Sequence, residues 1–466
     1  MDNKPLDVLI LAAGLGTRMR SDIAKVLHRL DGRPLINHVC RTAAALAPRK
    51  VFVVVGHQGD DVREAVFEEL EAEHVEFVWQ REQLGTGDAV NSAREHLENS
   101  GSELLVLSGD VPMIRAETLA GLVRQHQSHR GKGAACTLVS VELDDPTGYG
   151  RVIRDSAGLF EKIVEQKDAT EEELKLREIN AGIYCFDTDK LFEALGRVSN
   201  DNAQGEYYLT DVPGVLKEVG EAVSIFKLKD GFEIEGVNDR RQLAALERSI
   251  RRRTVKRLML DFGVTVIDPE RTYVAGSVVV GRDSTIHPDV TLEGETRIGD
   301  ACVIRSGTRI SDSKIGHGVE IKDNCVIDDA EVANGCTIGP MAHLRPGASL
   351  EEGARIGNFV EVKKSVIGRN SKVNHLSYIG DATIGENTNI GAGTITCNYD
   401  GKNKHRTEIG NRVKIGSNTM LVAPVRIGDG SVTGAGTVVT KDIPPNKLVV
   451  GAPGRAIRSL SEEDQD

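Results

Sequence analysis

Two hydrophobic rhythms divide this chain, one running to about residue 240 and another beginning near residue 263. In the first, short apolar runs alternate with amphipathic segments. Val8 to Ala12 is one run, followed by a glycine-rich turn and a segment with helical periodicity. Val51 to Val55 is another, and across Asp60 to Ala72 the residues Val62, Val66 and Leu70 recur at helical spacing. Val75 to Trp79 and Leu104 to Leu107 continue the pattern. Strands alternating with helices predict a mostly parallel sheet covered on both faces. Ligands of such sheets bind beyond the carboxyl ends of the strands. From Asp239 to Leu260, the spacing of Leu243, Leu246, Ile250 and Leu258 predicts one amphipathic helix ending near Gly263.

The second rhythm has a period of six. Ile298, Ile304 and Ile310 begin it, then Ile315 and Ile321, then Val332 and Ile338. Ile356 and Val362 follow, then Ile367, Val373 and Ile379, then Ile384 and Ile390, and finally Ile409, Ile415, Leu421 and Ile427. A sustained six-residue repeat predicts a parallel β-helix with each apolar residue pointing inward, and an occasional step of five marks a shortened corner. Aromatic residues make up only 4% of the chain, which suits a prism too narrow for stacked rings. The period fails once, and Thr396 to His405 reads as a protruding polar loop of the kind solenoids use for binding. The chain thus divides into residues 1–238, a helical linker at 239–262, and residues 263–466.

Composition narrows the function classes. At 466 residues the chain is long enough for two or three domains. A formal net charge of −12 argues against a nucleic-acid partner, since a polyanion would be repelled. Arg251-Arg252-Arg253 is the one basic run, and its helical setting makes it a solvated helix face. No apolar stretch approaches a membrane span, and the first residues lack the pattern of a secretory signal. Seven scattered cysteines without metal spacing read as reduced thiols, and Cys397 as a packed one. A cytoplasmic protein without membrane association is expected.

The candidate chemistry lies at strand ends. Leu11 to Met19 follows a predicted strand and has neither a P-loop nor a dinucleotide fingerprint. Its glycines let backbone N–H groups approach phosphate oxygens, a following helix start would add its positive end, and Arg18 and Lys25 bring positive charge. A Gly-x-Gly pair alone is equally compatible with a tight turn. Asp110, after the run Leu104 to Leu107, sits on the same sheet edge as Gly14 if the two strands are parallel. A carboxylate beside cations and backbone donors suits a nucleoside triphosphate with Mg²⁺, against the plainer reading of Asp110 as a cap. In the β-helix, Arg345, Glu361, Lys363, His375, Tyr378 and Asn389 fall within about three coils. Histidine is the side chain suited to general-base work, which makes His375 the candidate base of this cluster. Arg345 and Lys363 are cations suited to an anionic ligand such as a phosphate. His287, His317 and His343 read as ordinary exposed side chains.

These segments carry a resemblance. Leu11 to Met19 with Lys25, Gln83-Leu84-Gly85-Thr86-Gly87, Gly109-Asp110-Val111-Pro112, Asp145 to Arg151, and Gln204 to Tyr208 resemble sugar-1-phosphate nucleotidyltransferases. Leu344 to Ala348, Gly357 to Lys364 and Asn389 to Gly401 resemble an acetyltransferase half. Together, in this order and over nearly the whole chain, they resemble the bacterial bifunctional N-acetylglucosamine-1-phosphate uridylyltransferase and glucosamine-1-phosphate acetyltransferase family.

The resemblance implies an α/β protein: a Rossmann-like nucleotidyltransferase domain, a connecting helix and a left-handed parallel β-helix. It implies that Leu11, Ala12, Ala13, Gly14, Gln80, Gly85, Thr86, Ser108 and Gly109 hold UTP, and that Gly150, Glu165 and Asn180 hold N-acetylglucosamine. Asp110 and Asn238 would bind Mg²⁺, and Arg18 and Lys25 would offset phosphate charge. His375 would be the general base, oriented by Glu361. Arg345, Lys363, Tyr378 and Asn389 would bind glucosamine-1-phosphate, while Ala392, Asn398, Tyr399, Ser417 and Ala435 would line the acetyl-CoA site. A homotrimer with acetyl-CoA sites between subunits is implied as well. Two departures stand out: Ala24 occupies a position that is usually proline, and Ala452 one that some relatives fill with arginine, for which Arg455 is the candidate substitute. A single-function nucleotidyltransferase with a structural or regulatory β-helix is the main alternative. A non-catalytic interaction subunit is another, although it would have no use for Lys25, Asp110 and Asn238.

Overall fold

The computed structural model describes residues 4–129 and 134–459, which fall into two compact units divided between Glu247 and Arg248. In the first unit the apolar runs are strands of one sheet. Their order is Ala222–Lys227, Ala134–Glu142, Glu178–Asp187, Glu103–Ser108, Leu6–Leu11, Lys50–Val55 and Val75–Trp79. Leu6–Leu11 pairs in parallel with both Glu103–Ser108 and Lys50–Val55. Side chains of a strand alternate between faces. Accordingly Val8 and Ile10 enter one buried cluster and Leu9 the other, so both faces of the sheet are covered.

Three features differ from the periodicity. Glu178–Asp187 runs antiparallel to its neighbours, and an antiparallel pair, Arg151–Arg154 with Phe160–Val164, is attached to it. The helix after Val51–Val55 ends at Phe67 rather than Ala72. No α-helix follows the glycine-rich turn directly: Thr17–Met19 and Lys25–Leu27 are single 3₁₀ turns, and the first α-helix is Leu35–Ala44. Arg20 in the left-handed region closes the first turn after three residues, so no long helix dipole points at Gly14.

The connecting helix is Arg240–Asp261, followed by Gly263 at φ +67°. In its second-unit portion the arginines are more than a solvated face. The Arg251 guanidinium stacks 4.4 Å from the Tyr273 ring, and Arg252 pairs with Glu270. Both contacts fasten the helix to the first coil of the β-helix.

The second unit is a left-handed β-helix of three parallel sheets. Most strands pair with one 17 or 18 residues further on, as in Val366 with Thr383 or Thr285 with Val303. The six-residue repeat fills the interior: Ile304, Ile321, Ile338, Val373 and Ile379 are fully buried. At the corners, buried hydroxyls satisfy backbone groups of adjacent coils. Ser371 Oγ donates to Gly385 O at 2.6 Å and accepts from Thr388 N at 2.8 Å. The loop predicted at Thr396 to His405 is present, and there Thr383 pairs with Glu408, 25 positions on. The stack ends differently from the rest, because Arg455–Ser459 folds back antiparallel on Lys447–Val450.

Removing one interior rung tests this core. Ile379→Ala should lower the stability of the second unit by about 2–5 kcal/mol, read as the shift of its guanidinium midpoint. Lys372→Ala, on the outer surface of the same coil, should change it by less than about 0.5 kcal/mol.

Candidate functional site

In the first unit, the parallel pairing places Leu11 opposite Ser108, and Gly109 N donates to Leu11 O at 2.9 Å. Ala12 to Gly14 therefore lie beside Gly109 and Asp110 at the carboxyl edge of the sheet. A side chain at Gly14 would meet nothing within 4 Å, so its backbone faces open space. Gly16 is required for a different reason: at φ +60°, a Cβ there would sit 2.6 Å from the Lys25 Cβ. The lysine stem thus passes directly over the glycine turn.

Lys25 Nζ then meets Asp110 Oδ2 at 2.5 Å and Asn238 Oδ1 at 3.3 Å. Arg18 donates to the same Asn238 oxygen at 3.0 Å. Val237 N bonds Asp110 O at 3.0 Å, which brings Asn238 to Asp110 across a long stretch of sequence. A carboxylate and an amide oxygen thus converge on one ammonium. Two hard oxygen donors are what Mg²⁺ takes from a protein when phosphates and water complete its shell, so this pair fits that ion.

Gln80 is buried, and its amide nitrogen donates to Gly85 O at 3.2 Å and Asp88 Oδ2 at 2.7 Å. Gly85 adopts φ +114°, and a Cβ there would lie 2.6 Å from Tyr207 O. Thr86 Oγ1 accepts from Leu209 N at 3.0 Å. The two motifs around residues 85 and 207 are therefore one packed wall.

On the far side, Asn180 N bonds Gly150 O at 2.9 Å, and a Cβ on Gly150 would lie 3.4 Å from Glu165 Oε1. Asn180 Nδ2 donates to the Tyr184 hydroxyl at 2.7 Å, while its Oδ1 is buried with no partner. A buried amide oxygen left open is an acceptor site for a ligand hydroxyl or N–H. Burial, opposed by a bond from Thr210 and reinforced by Asp211, Asp168 and Glu206, pushes the Glu165 carboxyl above its usual range.

In the second unit one corner of the prism carries a column of residues. Asn358 pairs with His375, Gly393 N bonds His375 O at 3.2 Å, Asn418 N bonds Ala392 O at 2.6 Å, and Gly436 N bonds Ser417 O at 2.8 Å. Asn358, His375, Ala392, Ser417 and Ala435 thus stack over five successive coils. His375 Nδ1 lies 2.9 Å from Asn358 Oδ1. With a carbonyl oxygen on Nδ1, the ring proton sits there and Nε2 is free to act as a base. Glu361 does not take this place: its carboxylate is bound to Arg345 at 2.7 Å. In this arrangement the side chain that meets the ring is Asn358, which lay unremarked in the quoted Gly357-Asn358 segment.

The adjacent face holds Arg345, Glu361 opposite Tyr378, and Lys363 opposite Gly380. Asn389 is not among them. It pairs with Lys372, three residues along the strand from the His375 column, about 10 Å away. The inserted loop is tied down by Asn398, whose amide donates to Asp381 Oδ2 at 2.5 Å, while Asp381 N bonds Lys363 O at 3.1 Å. Tyr399 bridges to Lys404, and Asp400 accepts from the backbones of Lys402 and Asn403 and from His405. Lys404 chiefly, and Arg345 after it, push the Lys363 ammonium below its usual range, against the opposing charge of Asp381. Asp381 and Lys404 went unnoticed in the sequence because only the loop anchor brings them to Lys363. Arg455 is exposed at the start of the terminal antiparallel strand.

The comparisons with known proteins follow the same division. A MobA-like NTP transferase domain matches residues 8–174, a GMPPB C-terminal domain residues 274–350, and bacterial transferase hexapeptide repeats residues 406–441. "Bifunctional protein GlmU" of Syntrophomonas wolfei is 50% identical over 451 residues, covering 97% of this chain and 98% of that protein. The proteins of the same name from Streptococcus agalactiae serotype V and Pelobacter propionicus are 46% and 48% identical. The first covers 95% of this chain and 94% of the relative, the second 95% of each.

The raised Glu165 pKa makes a stability prediction. A carboxyl whose folded pKa exceeds its unfolded value favours folding below the unfolded pKa, and that contribution is lost as pH rises through the folded pKa. Glu165→Gln, which cannot ionise, should therefore melt higher than the parent at pH 8, with the gain vanishing near pH 4. Calorimetry of the first unit's transition at both pH values reads the difference.

Proposed function

Since the chain belongs to the family of bifunctional GlmU proteins, we propose that its two units catalyse successive transfers, each with its own set of residues. The chain is a bifunctional transferase. It acetylates glucosamine-1-phosphate with acetyl-CoA, then couples N-acetylglucosamine-1-phosphate to UTP, giving UDP-N-acetylglucosamine and pyrophosphate. The observation that carries the assignment is the separate charge constellation in each unit: Lys25 with Asp110, Asn238 and Arg18 in one, and His375 with Asn358 beside Arg345 and Lys363 in the other.

In acetyl transfer, Arg345, Lys363 and Tyr378 grip the sugar phosphate, and His375 Nε2 takes a proton from the amine. The amine nitrogen attacks the thioester carbonyl, the C–N bond forms, the C–S bond breaks, and the coenzyme leaves as its thiol with the proton carried by His375. Asn358 keeps the ring in the tautomer this requires. Ala392, Ser417 and Ala435 continue the His375 column as small residues along which an extended coenzyme arm can lie. Asn398 and Tyr399 close it from the loop, Arg455 serves its periphery, and Asn389 is assigned to the sugar phosphate with Arg345, Lys363 and Tyr378.

In uridylyl transfer, the backbone from Leu11 to Gly14, with Gln80, Gly85, Thr86, Ser108 and Gly109, holds UTP. Gly150, Glu165 and Asn180 hold the N-acetylglucosamine. A phosphate oxygen of the sugar phosphate attacks the α-phosphorus in line, and the bond to the leaving pyrophosphate breaks. Lys25 and Arg18 stabilise the charge that accumulates. Asp110 and Asn238 would hold Mg²⁺, which supplies further charge neutralisation at the phosphates when bound.

The reading extends to a cytoplasmic homotrimer supplying a cell-wall precursor, with acetyl-CoA sites between subunits. Among the described residues no helix is long and apolar enough to cross a membrane. Catalysis by both units argues against a merely structural β-helix, since a stalk has no need of an oriented, exposed imidazole.

A one-pot assay with glucosamine-1-phosphate, acetyl-CoA, UTP and Mg²⁺ tests this, following thiol and pyrophosphate release separately. His375→Ala should lose about 10²–10⁴-fold in thiol release, and Asn358→Ala about 10–100-fold through misplacement of the ring. Supplied N-acetylglucosamine-1-phosphate should restore pyrophosphate release to both. Asp110→Ala should abolish only pyrophosphate release. An absence of thiol release from the parent protein would reduce the β-helix to a scaffold.

A further inference from the structure

His28 lies three residues beyond Lys25, only 8% exposed, and its Nε2 meets no hydrogen-bond partner. An unpaired imidazole nitrogen in the interior carries a desolvation cost that an apolar residue would avoid. Its position explains why a histidine stands there. Through its backbone, His28 closes the Lys25 turn: its N–H donates to Lys25 O at 3.3 Å, and its carbonyl accepts from Leu35 N at 3.0 Å, at the start of the helix Leu35–Ala44. Through its ring, it contacts the Ile23 backbone on the other side of Lys25. One residue thus grips the chain before and after the lysine.

The stretch between these grips needs bracing. Ala24 sits at φ −51° and ψ 138°, a conformation that proline would preset and that alanine leaves free. Lys25 must nevertheless pass over Gly16 to reach Asp110, with no room for error at that crossing. Arg240 packs nearby and holds the preceding turn through Met19 O at 3.1 Å. Burial first, and the Arg240 charge second, push the imidazole below its usual range, so the ring is neutral at physiological pH and adds no charge of its own to the site.

We propose that His28 is a positioning residue for uridylyl transfer, its buried ring fixing the Ile23–Lys25 stretch so that Lys25 is presented to Asp110 and the nucleotide phosphates. The proposal rests on Lys25 acting at the nucleotide, as inferred above.

The test uses the full chain and measures both activities below the melting temperature. His28→Ala should lower kcat/KM for UTP about 10–100-fold while thiol release from acetyl-CoA stays within about two-fold. Adding Ala24→Pro to His28→Ala should recover much of the loss, because proline restores by covalent constraint what the ring supplied. A residue that only filled space would lower the melting temperature, leave kcat/KM for UTP unmoved and gain nothing catalytic from the proline. Should His28→Ala not fold, His28→Phe, which fills the space without the polar contact, takes its place with the same expected loss. An unchanged kcat/KM for UTP in the folded variant overturns the proposal, as does failure of Ala24→Pro to rescue. Lys25→Ala serves as the reference: if it keeps full pyrophosphate release, the reading of Lys25 fails, and not the bracing role of His28.

Discussion

A triangular coil of 17 or 18 residues closes only if each side contributes an inward side chain of nearly fixed size, and the second unit is built on that constraint. Ile304, Ile321 and Ile338 stand one above another because each strand registers on the next without a slip. The corners must turn in two or three residues, and their backbone groups are buried between coils. Serine and threonine hydroxyls at Ser371, Ser377 and Thr388 meet those groups from within. The outer surface is freed from structural duty as a result, and functional side chains can be placed on it in columns with atomic registry. The column from Asn358 to Ala435 is such a placement.

The first unit solves positioning by another route. Its sheet fixes only the backbone ends, and the chemistry depends on loops crossing above them. Lys25, Asp110 and Asn238 are far apart in sequence, and they meet because Gly109 bonds Leu11 and Val237 bonds Asp110. The resulting triad is electrostatically strained in one respect: Lys25 neutralises the carboxylate that the proposed reaction assigns to a metal. Under the proposed reaction, nucleotide phosphate oxygens would offer the ammonium another partner, so that the lysine would exchange one anion for another and not be left bare in a half-buried site.

Much of this was legible beforehand. The period of six located the β-helix almost strand by strand, since a solenoid translates sequence spacing directly into position. Strands Val51–Val55 and Val75–Trp79 were equally plain because their apolar runs are continuous. The antiparallel Glu178–Asp187 was not, because a strand buried on both faces carries no mark of its direction. The helix expected after Gly14 failed because a left-handed Arg20 stops the turn, and φ at a single residue leaves no periodic trace. Asn358 escaped for a related reason. Its relation to His375 is a stacking relation between coils, visible only once 17 residues are known to make one turn.

The column of corner residues also shows where function departs from the rule of the fold. At the corner beside His375, successive coils place a left-handed residue, and Asp289, Gly307, Asn324, Gly393, Asn418 and Gly436 suit that conformation. The imidazole's own coil and the two before it instead use Leu376, Phe359 and Met341 there, each with positive φ and about half exposed or more. Bulky residues in this region cost on the order of 1–2 kcal/mol each. The ladder above and below determines the backbone so fully that it tolerates the strain, yet nothing in coil closure asks for it. The same three coils carry Arg345, Glu361 and Lys363 on the adjoining face, and His375 itself precedes Leu376. At this corner the strain falls in the turns bearing the charged set, and a surface strained where the scaffold does not ask for it is one shaped for what it meets.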